Sequence, residues 1–224
     1  MREDLKIVLC SGSPRRRQLL QELGFAFSVS VKEVDEQFPS HLRKEEVVLY
    51  LAEKKANAFR QEFLENTIYI TADTIVWLDN EVLNKPGDEQ HAFAMLKSLS
   101  GKVHQVYTGV CLTGRNQLKK FYVKSDVQFK SLTDDEIKYY VEHYKPFDKA
   151  GSYGAQECLP PGMNPCSAAE LEFMKAINKT DLFEKTAIRN KEHMPIIERI
   201  SGSYFNVMGL PVVELYNEII NYKF

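Results

Sequence analysis

A short apolar run at residues 6–10 (KIVLC) stops at Ser11-Gly12-Ser13-Pro14 and gives way to a helical pattern. The run reads as a buried strand. Ser13 suits a helix N-cap and Pro14 the first helical position. Leu19, Leu20 and Leu23 then share one face before Gly24 ends the helix. Such a junction points free backbone N–H groups out of the positive end of a helix dipole, where an anion is favoured. Arg15, Arg16 and Arg17 open this helix. At ~100° per residue they cannot all face one way, but at least one reaches forward, and a guanidinium grips phosphate through paired hydrogen bonds. The plainer reading is a capped helix with solvated arginines, which cations at this end of the dipole disfavour. The loop matches neither G-x-x-x-x-G-K-[ST] nor G-x-G-x-x-G, so a phosphate here would be held in another manner.

The remaining chain alternates strand and helix signals without βαβ regularity. Residues 25–34 alternate as a strand, and 44–63 carry a helical period with Val47, Val48, Leu51, Ala52, Ala56 and Phe59 inward. Residues 67–71 and 74–78 are β-branched runs broken by Ala72-Asp73, and Asp79-Asn80 makes a turn into Val82-Leu83. Asp88 caps a helix that Gly101 stops. Residues 103–113 and 117–129 alternate around Gly114 as a long antiparallel hairpin. Thr133-x-x-Glu136 is a capping box, and Pro146 closes the helix it opens. A small-residue loop at 148–156 leads to a stretch opening on Pro160-Pro161-Gly162, with a charged helical pattern near 168–178. An apolar segment at 196–210 and a terminal helix from Pro211 follow. This order predicts one α/β domain, a mixed sheet with flanking helices.

Charge narrows the partners. Lys and Arg total 29 against 31 Asp and Glu, a net charge of -2. No nucleic-acid partner held by bulk charge is expected, and any anion site must be local. No apolar run approaches the ~18 residues of a membrane span and the N-terminus lacks a secretory pattern, so no membrane partner and a cytoplasmic location are expected. Cys10, Cys111, Cys158 and Cys166 show no C-x-x-C spacing, and buried reduced thiols are the expectation. Asp73 has two readings: a turn aspartate, or a metal-binding carboxylate or general base at a strand end. Glu33, Asp35 and Glu36 form a second acidic cluster, read either as a solvated loop or as a partner sharing a divalent cation with Asp73. Lys54, Lys55, Lys85 and Lys149 are surface charges or phosphate ligands. No G-x-S-x-G elbow and no H-x-x-x-H pair is present.

Taken in order, these segments resemble the Maf family of nucleotide pyrophosphatases. Ser11-Gly12-Ser13-Pro14-Arg15-Arg16 is similar to the family's S-x-S-P-R-R opening and Ala72-Asp73-Thr74 to its central A-D-T. Glu53-Lys54-Lys55-Ala56 and Leu83-Asn84-Lys85-Pro86 match its helix and turn motifs. The stretches from Asp148 to Gln156 and from Gly202 to Pro211 match as well. The resemblance implies an elongated mixed α/β fold, two lobes around a cleft, similar to the inosine triphosphatase group. It implies hydrolysis of a nucleoside triphosphate to monophosphate and pyrophosphate, with dTTP and UTP as substrates and Mg²⁺ or Mn²⁺ as cofactor. In that pattern Asp73 accepts the water proton or holds the metal, and Glu36 shares the metal. Arg15, Arg16, Lys55 and Lys85 neutralise phosphate charge, Ser11 and Ser13 add hydrogen bonds, and Arg15, Thr74 and Gln156 help select the base. Residues 157–195 depart from the pattern as an insertion that would cover the cleft, alter base selection or build a subunit contact, so a homodimer stays open. The competing expectation is a non-catalytic nucleotide-sensing or cell-division regulator that keeps the binding loop and signals through partners.

Overall fold

Thr67–Leu78 runs as one unbroken strand through the middle of a seven-stranded mixed sheet. The structure is a computed structural model in which residues 5–186 and 194–222 are described. Along the chain, β1 (Lys6–Leu9) leads to α1 (Pro14–Glu22), β2 (Ser28–Val29) and α2 (Glu45–Asn57). The long strand is β3 (Thr67–Leu78). It is followed by β4 (Glu81–Leu83), α3 (Glu89–Leu99), the hairpin of β5 (Val103–Thr113) and β6 (Leu118–Phe129), and α4 (Asp134–Tyr144). Short α5 (Ala155–Cys158), α6 (Ala168–Ala176) and α7 (Leu182–Thr186) precede β7 (Ile197–Ser201), α8 (Tyr204–Met208) and α9 (Val212–Ile220).

The sheet order is β2-β1-β3-β5-β6-β7, with β4 also on β3. β1 lies parallel to β2 and β3, and the other pairs are antiparallel. Local chemistry accounts for most boundaries. Ser13 caps α1 by accepting from the Arg16 N–H, with Pro14 in the first turn. Asp79 and Asn80 adopt φ of 50° and 69° in the tight turn between β3 and β4, the left-handed pair that twisted two-residue hairpins require. Among the described residues no helix is long and apolar enough to cross a membrane.

Three expectations are corrected. Asp73 does not sit in a turn or at a strand end. β3 pairs with β5 continuously from Tyr69 to Trp77, so the ladder carries the Ala72-Asp73 backbone straight through. Residues 25–34 form only the two-residue β2, because pairing with β1 is limited to Val8↔Ser28 and Leu9↔Val29. The helix expected over 44–63 ends at Asn57, and a separate 3₁₀ turn covers Arg60–Glu62.

Helix α2 lies on the sheet at unusually close range. Val47, Val48 and Leu51 pack on Ile75, Trp77 and Tyr107, while Ala52 and Ala56 meet Cys111. The approach depends on Gly109, which stands opposite Asp73 in the β3–β5 register. A Cβ on Gly109 would fall 2.6 Å from both the carbonyl carbon and oxygen of Val48, atoms that cannot move without the helix. Gly109→Ala is therefore expected to lift α2, to lower stability by about 1–3 kcal/mol, and to reduce activity by drawing the α2 side chains away from Asp73 on β3. Thermal denaturation and turnover of the same preparation check both effects.

Candidate active site

The long central strand has unequal flanks. On one side it is paired with β5 along its length. On the other, β1 pairs with Thr67–Ile70 and β4 with Val76–Leu78, so residues 71–75 have no strand neighbour on that side among the described residues. A cleft of about 960 Å³ opens at this gap. The gap makes both faces of β3 accessible from one opening. Thr71, Asp73 and Ile75 point toward α2, as shown by the Thr71 hydrogen bond to the Ala52 carbonyl and the Ile75 contacts. Ala72, Thr74 and Val76 alternate to the opposite face, yet both Asp73 and Thr74 line the cleft.

Around this opening the fold gathers most of the candidate residues named from the sequence, Arg17 and Lys54 excepted. The β1–α1 junction contributes Ser11, Ser13, Arg15 and Arg16, and α2 contributes Lys55. The chain beyond β2 brings Glu36, the segment after β4 brings Lys85, and α5 brings Gln156. Arg17, one position too far around the helix, is exposed and does not line the cleft.

The centre is a lysine between two carboxylates. Lys55 Nζ donates to Asp73 Oδ1 at 2.5 Å and to Glu36 Oε1 at 2.8 Å. Lys85 Nζ lies 3.7 Å from Glu36 Oε2. Asp73 is only 7% exposed, and burial raises its carboxyl above the ordinary value against the pull of Lys55 and Arg16. Glu36 moves the other way. Burial is the largest single influence and raises it, but the Lys55 hydrogen bond and charge, with Lys85 and Arg16 behind, together hold it below its usual value. Two carboxylates in one cleft are thus driven apart in proton affinity, Asp73 upward and Glu36 downward.

Arg16 is aimed by three groups. Its Nε donates to the Gly209 carbonyl at 2.8 Å, Nη2 to Thr74 Oγ1 at 2.9 Å, and Nη1 approaches Ser11 Oγ at 3.5 Å. Thr74 in turn shares a 2.9 Å hydrogen bond with Thr108. Arg15 extends across the cleft to Asp148, with Nη1 3.3 Å from Oδ2. Asp148 also accepts from Lys149 at 2.8 Å. Burial raises the Asp148 carboxyl, but Lys149 and Arg15 outweigh it and hold it below its usual value. Asp148 and Gly209 were not among the expected site residues. Nothing local marks Asp148, whereas Gly209, at φ 107° directly after a short helix, carries the left-handed terminator signal.

Among the described residues no group of three or more His, Cys, Asp or Glu side chains converges as a ready metal site. Asp73 and Glu36 nonetheless suit a divalent cation. Both already address one positive centre, Lys55. Their donors are hard carboxylate oxygens, and Mg²⁺ is typically bound by one or two carboxylates, with water and substrate phosphates filling its shell.

Comparison with known proteins adds a family, two relatives and one solved structure. A family model described as Maf-like protein matches residues 6–160. The chain is 45% identical over 215 residues to the dTTP/UTP pyrophosphatase of Bacteroides fragilis (strain ATCC 25285), covering 96% of this chain and 94% of that protein. It is 40% identical over 222 residues to the dTTP/UTP pyrophosphatase of Flavobacterium psychrophilum, covering 99% and 97%. Among solved structures, the Staphylococcus aureus Ham1 protein overlays with a TM-score of 0.38 at 14% identity, over 55% of this chain and 71% of that one.

Proposed function

The chain belongs to the Maf family, and we propose that it hydrolyses dTTP and UTP to the monophosphate and pyrophosphate. The observation that carries this reading is the convergence of Asp73, Glu36 and Lys55 at the floor of a cleft walled by Arg15, Arg16 and Lys85.

The reaction breaks the bond between the α- and β-phosphates by in-line attack of water on the α-phosphorus. Asp73, ionised beside Lys55 and made more basic by burial, accepts the proton of that water. Arg16, Lys55 and Lys85 meet the negative charge that accumulates on the phosphoryl oxygens and on departing pyrophosphate, and their preorganisation spares reorganisation in the transition state. Ser11, Ser13 and the N–H groups opening α1 add hydrogen bonds. Asp73 and Glu36 would hold Mg²⁺ or Mn²⁺, which when bound supplies Lewis-acid polarisation of a phosphoryl oxygen. Arg15, Thr74 and Gln156 belong to the base-selecting end, with Thr74 also bonded to the Arg16 guanidinium.

The relatives carry an enzyme name, so a non-catalytic sensor is not favoured. The same reading places the protein in the cytoplasm acting on free nucleotides, with a homodimer as the assembly it allows. It also treats residues 157–195 as an insertion within a single domain.

The test is a panel of standard and modified nucleoside triphosphates supplied with Mg²⁺ or Mn²⁺, read by pyrophosphate release. The expected result is one pyrophosphate and one monophosphate per turnover, with dTTP and UTP ahead of the other standard nucleotides. No pyrophosphate from any triphosphate would overturn the reading.

A further inference from the structure

Beyond the cleft, α6 carries a buried acid that the hydrolysis does not use. Glu170 is 1% exposed, and no ion pair reaches it among the described residues. Burying a carboxylate is unfavourable unless donors surround it, and here they come from two helices. Oε2 accepts from the Ser167 N–H at 2.8 Å and the Tyr204 N–H at 3.1 Å. Oε1 accepts from the Ser203 hydroxyl at 2.6 Å and the Phe205 N–H at 3.1 Å. Glu170 thereby closes the capping box of its own helix and the first turn of α8 together. Ser203, besides donating to Glu170, accepts from the Asn206 N–H at 2.9 Å.

The far end of α8 aims Arg16. Gly209 turns the chain so that its carbonyl accepts from Arg16 Nε. The Asn206 carbonyl accepts from Thr108 Oγ1 at 3.0 Å, Thr108 bonds Thr74, and Thr74 accepts from Arg16 Nη2. Two of the contacts that hold the guanidinium therefore end on α8 or reach it through Thr74 and Thr108. The middle of α8 is pinned separately to the sheet, because Asn206 Nδ2 donates to the Val106 carbonyl and to Ser125 Oγ. Those bonds keep α8 in place as a helix, and Glu170 sets where its first turn sits.

We propose that Glu170 is a positioning residue for the cleft: it seats α8, and through the Gly209 carbonyl and the Thr108–Thr74 pair it directs the Arg16 guanidinium at the substrate phosphates. This rests on the triphosphate-binding reading above. On this view α6 is part of the working site although it lies within the segment that departs from the family pattern.

Three variants test it: Glu170→Gln; Ser203→Ala, which keeps the carboxylate but removes one donor to it and the cap on the Asn206 N–H; and Met174→Ala, which opens a cavity at the same helix without removing any hydrogen bond to Glu170 (Met174 is 2% exposed). Each is made with Arg16 intact and with Arg16→Ala. Two readouts are used: KM and kcat for dTTP, and calorimetric binding of α,β-imido-dTTP, which needs no turnover. Glu170→Gln is expected to raise KM and the analogue Kd about tenfold with kcat changed less than twofold, because a phosphate grip present throughout the reaction is lost. Ser203→Ala raises both about threefold. Neither adds a further rise in the Arg16→Ala background, and Met174→Ala lowers Tm without weakening binding. The proposal is overturned if Met174→Ala weakens binding as much as Glu170→Gln, or if Glu170→Gln or Ser203→Ala keeps its full effect without Arg16. It also fails if no variant weakens the analogue. A wild-type protein that binds the analogue but releases no pyrophosphate would instead count against the reaction, and the binding arm would still decide the role of Glu170.

Discussion

Asp73→Asn is expected to lower kcat for dTTP by about 10²- to 10⁴-fold while the protein stays folded. Asparagine keeps the shape of the side chain but cannot take a proton from water at neutral pH. The fold tolerates the change because the charge being removed is an unfavourable one to bury, as the raised proton affinity of Asp73 shows, and Lys55 keeps its 2.8 Å contact with Glu36. The thermal midpoint should move by no more than a few degrees. Steady-state pyrophosphate release and a melting curve on one preparation separate the two effects. A variant that retains wild-type turnover removes Asp73 from the chemistry.

Lys55→Met should cost about a hundredfold in kcat/KM, the usual scale for deleting a preorganised charge partner, and should also displace the pH dependence. Lys55 opposes the burial that raises the Asp73 carboxyl. Without it, Asp73 binds its proton still more tightly, so the acid limb of the pH–rate profile moves to higher pH. Stability follows with a definite sign. A carboxyl that holds its proton more tightly folded than unfolded favours the folded state on the acid side, and that contribution is lost as pH rises through the folded-state value. The variant's deficit, on the order of 3 kcal/mol at neutral pH for stranding a buried charge, should therefore shrink on acidification. A pH–rate profile with an unmoved acid limb would show that Lys55 does not set the charge state of Asp73.

The parts of this molecule that could be read from the sequence are those decided within a few residues. Ser13 and Pro14 announce α1, and Asp79-Asn80 announces the β3–β4 turn. Thr133 and Glu136 cap α4 reciprocally, at 3.2 Å to the Glu136 N–H and 2.8 Å back to the Thr133 N–H. Asp73 was ambiguous because aspartate is disfavoured in strands, and the group that makes its position tolerable, Lys55, lies on a helix earlier in the chain. The alternation over 25–34 describes two faces but not a pairing partner, and only two residues find one. For the site, the Ser11–Arg16 loop was legible as a local anion motif. The roles of Lys85, Gln156 and Glu36 as a set followed from the family resemblance, since nothing in their own neighbourhoods links them. Glu170 had a visible signal, Ser167-x-x-Glu170 ahead of a helical pattern. What the pattern could not show is that the same carboxylate caps a second helix more than thirty residues downstream.

The unpaired flank of β3 binds the chemistry to a reading frame. Asp73 and Thr74 are neighbours pointing to opposite sides of the sheet, one met by Lys55 and the other by Arg16. A slip of one residue in β3 would move both at once, setting Thr74 before the lysine and Ile75 before the arginine in one direction, or Ala72 before the lysine and Asp73 before the arginine in the other. A single inserted or deleted residue between Ile70 and Thr74 should therefore silence the protein even where the chain still folds, while substitutions that keep the count leave the odd and even positions where they are.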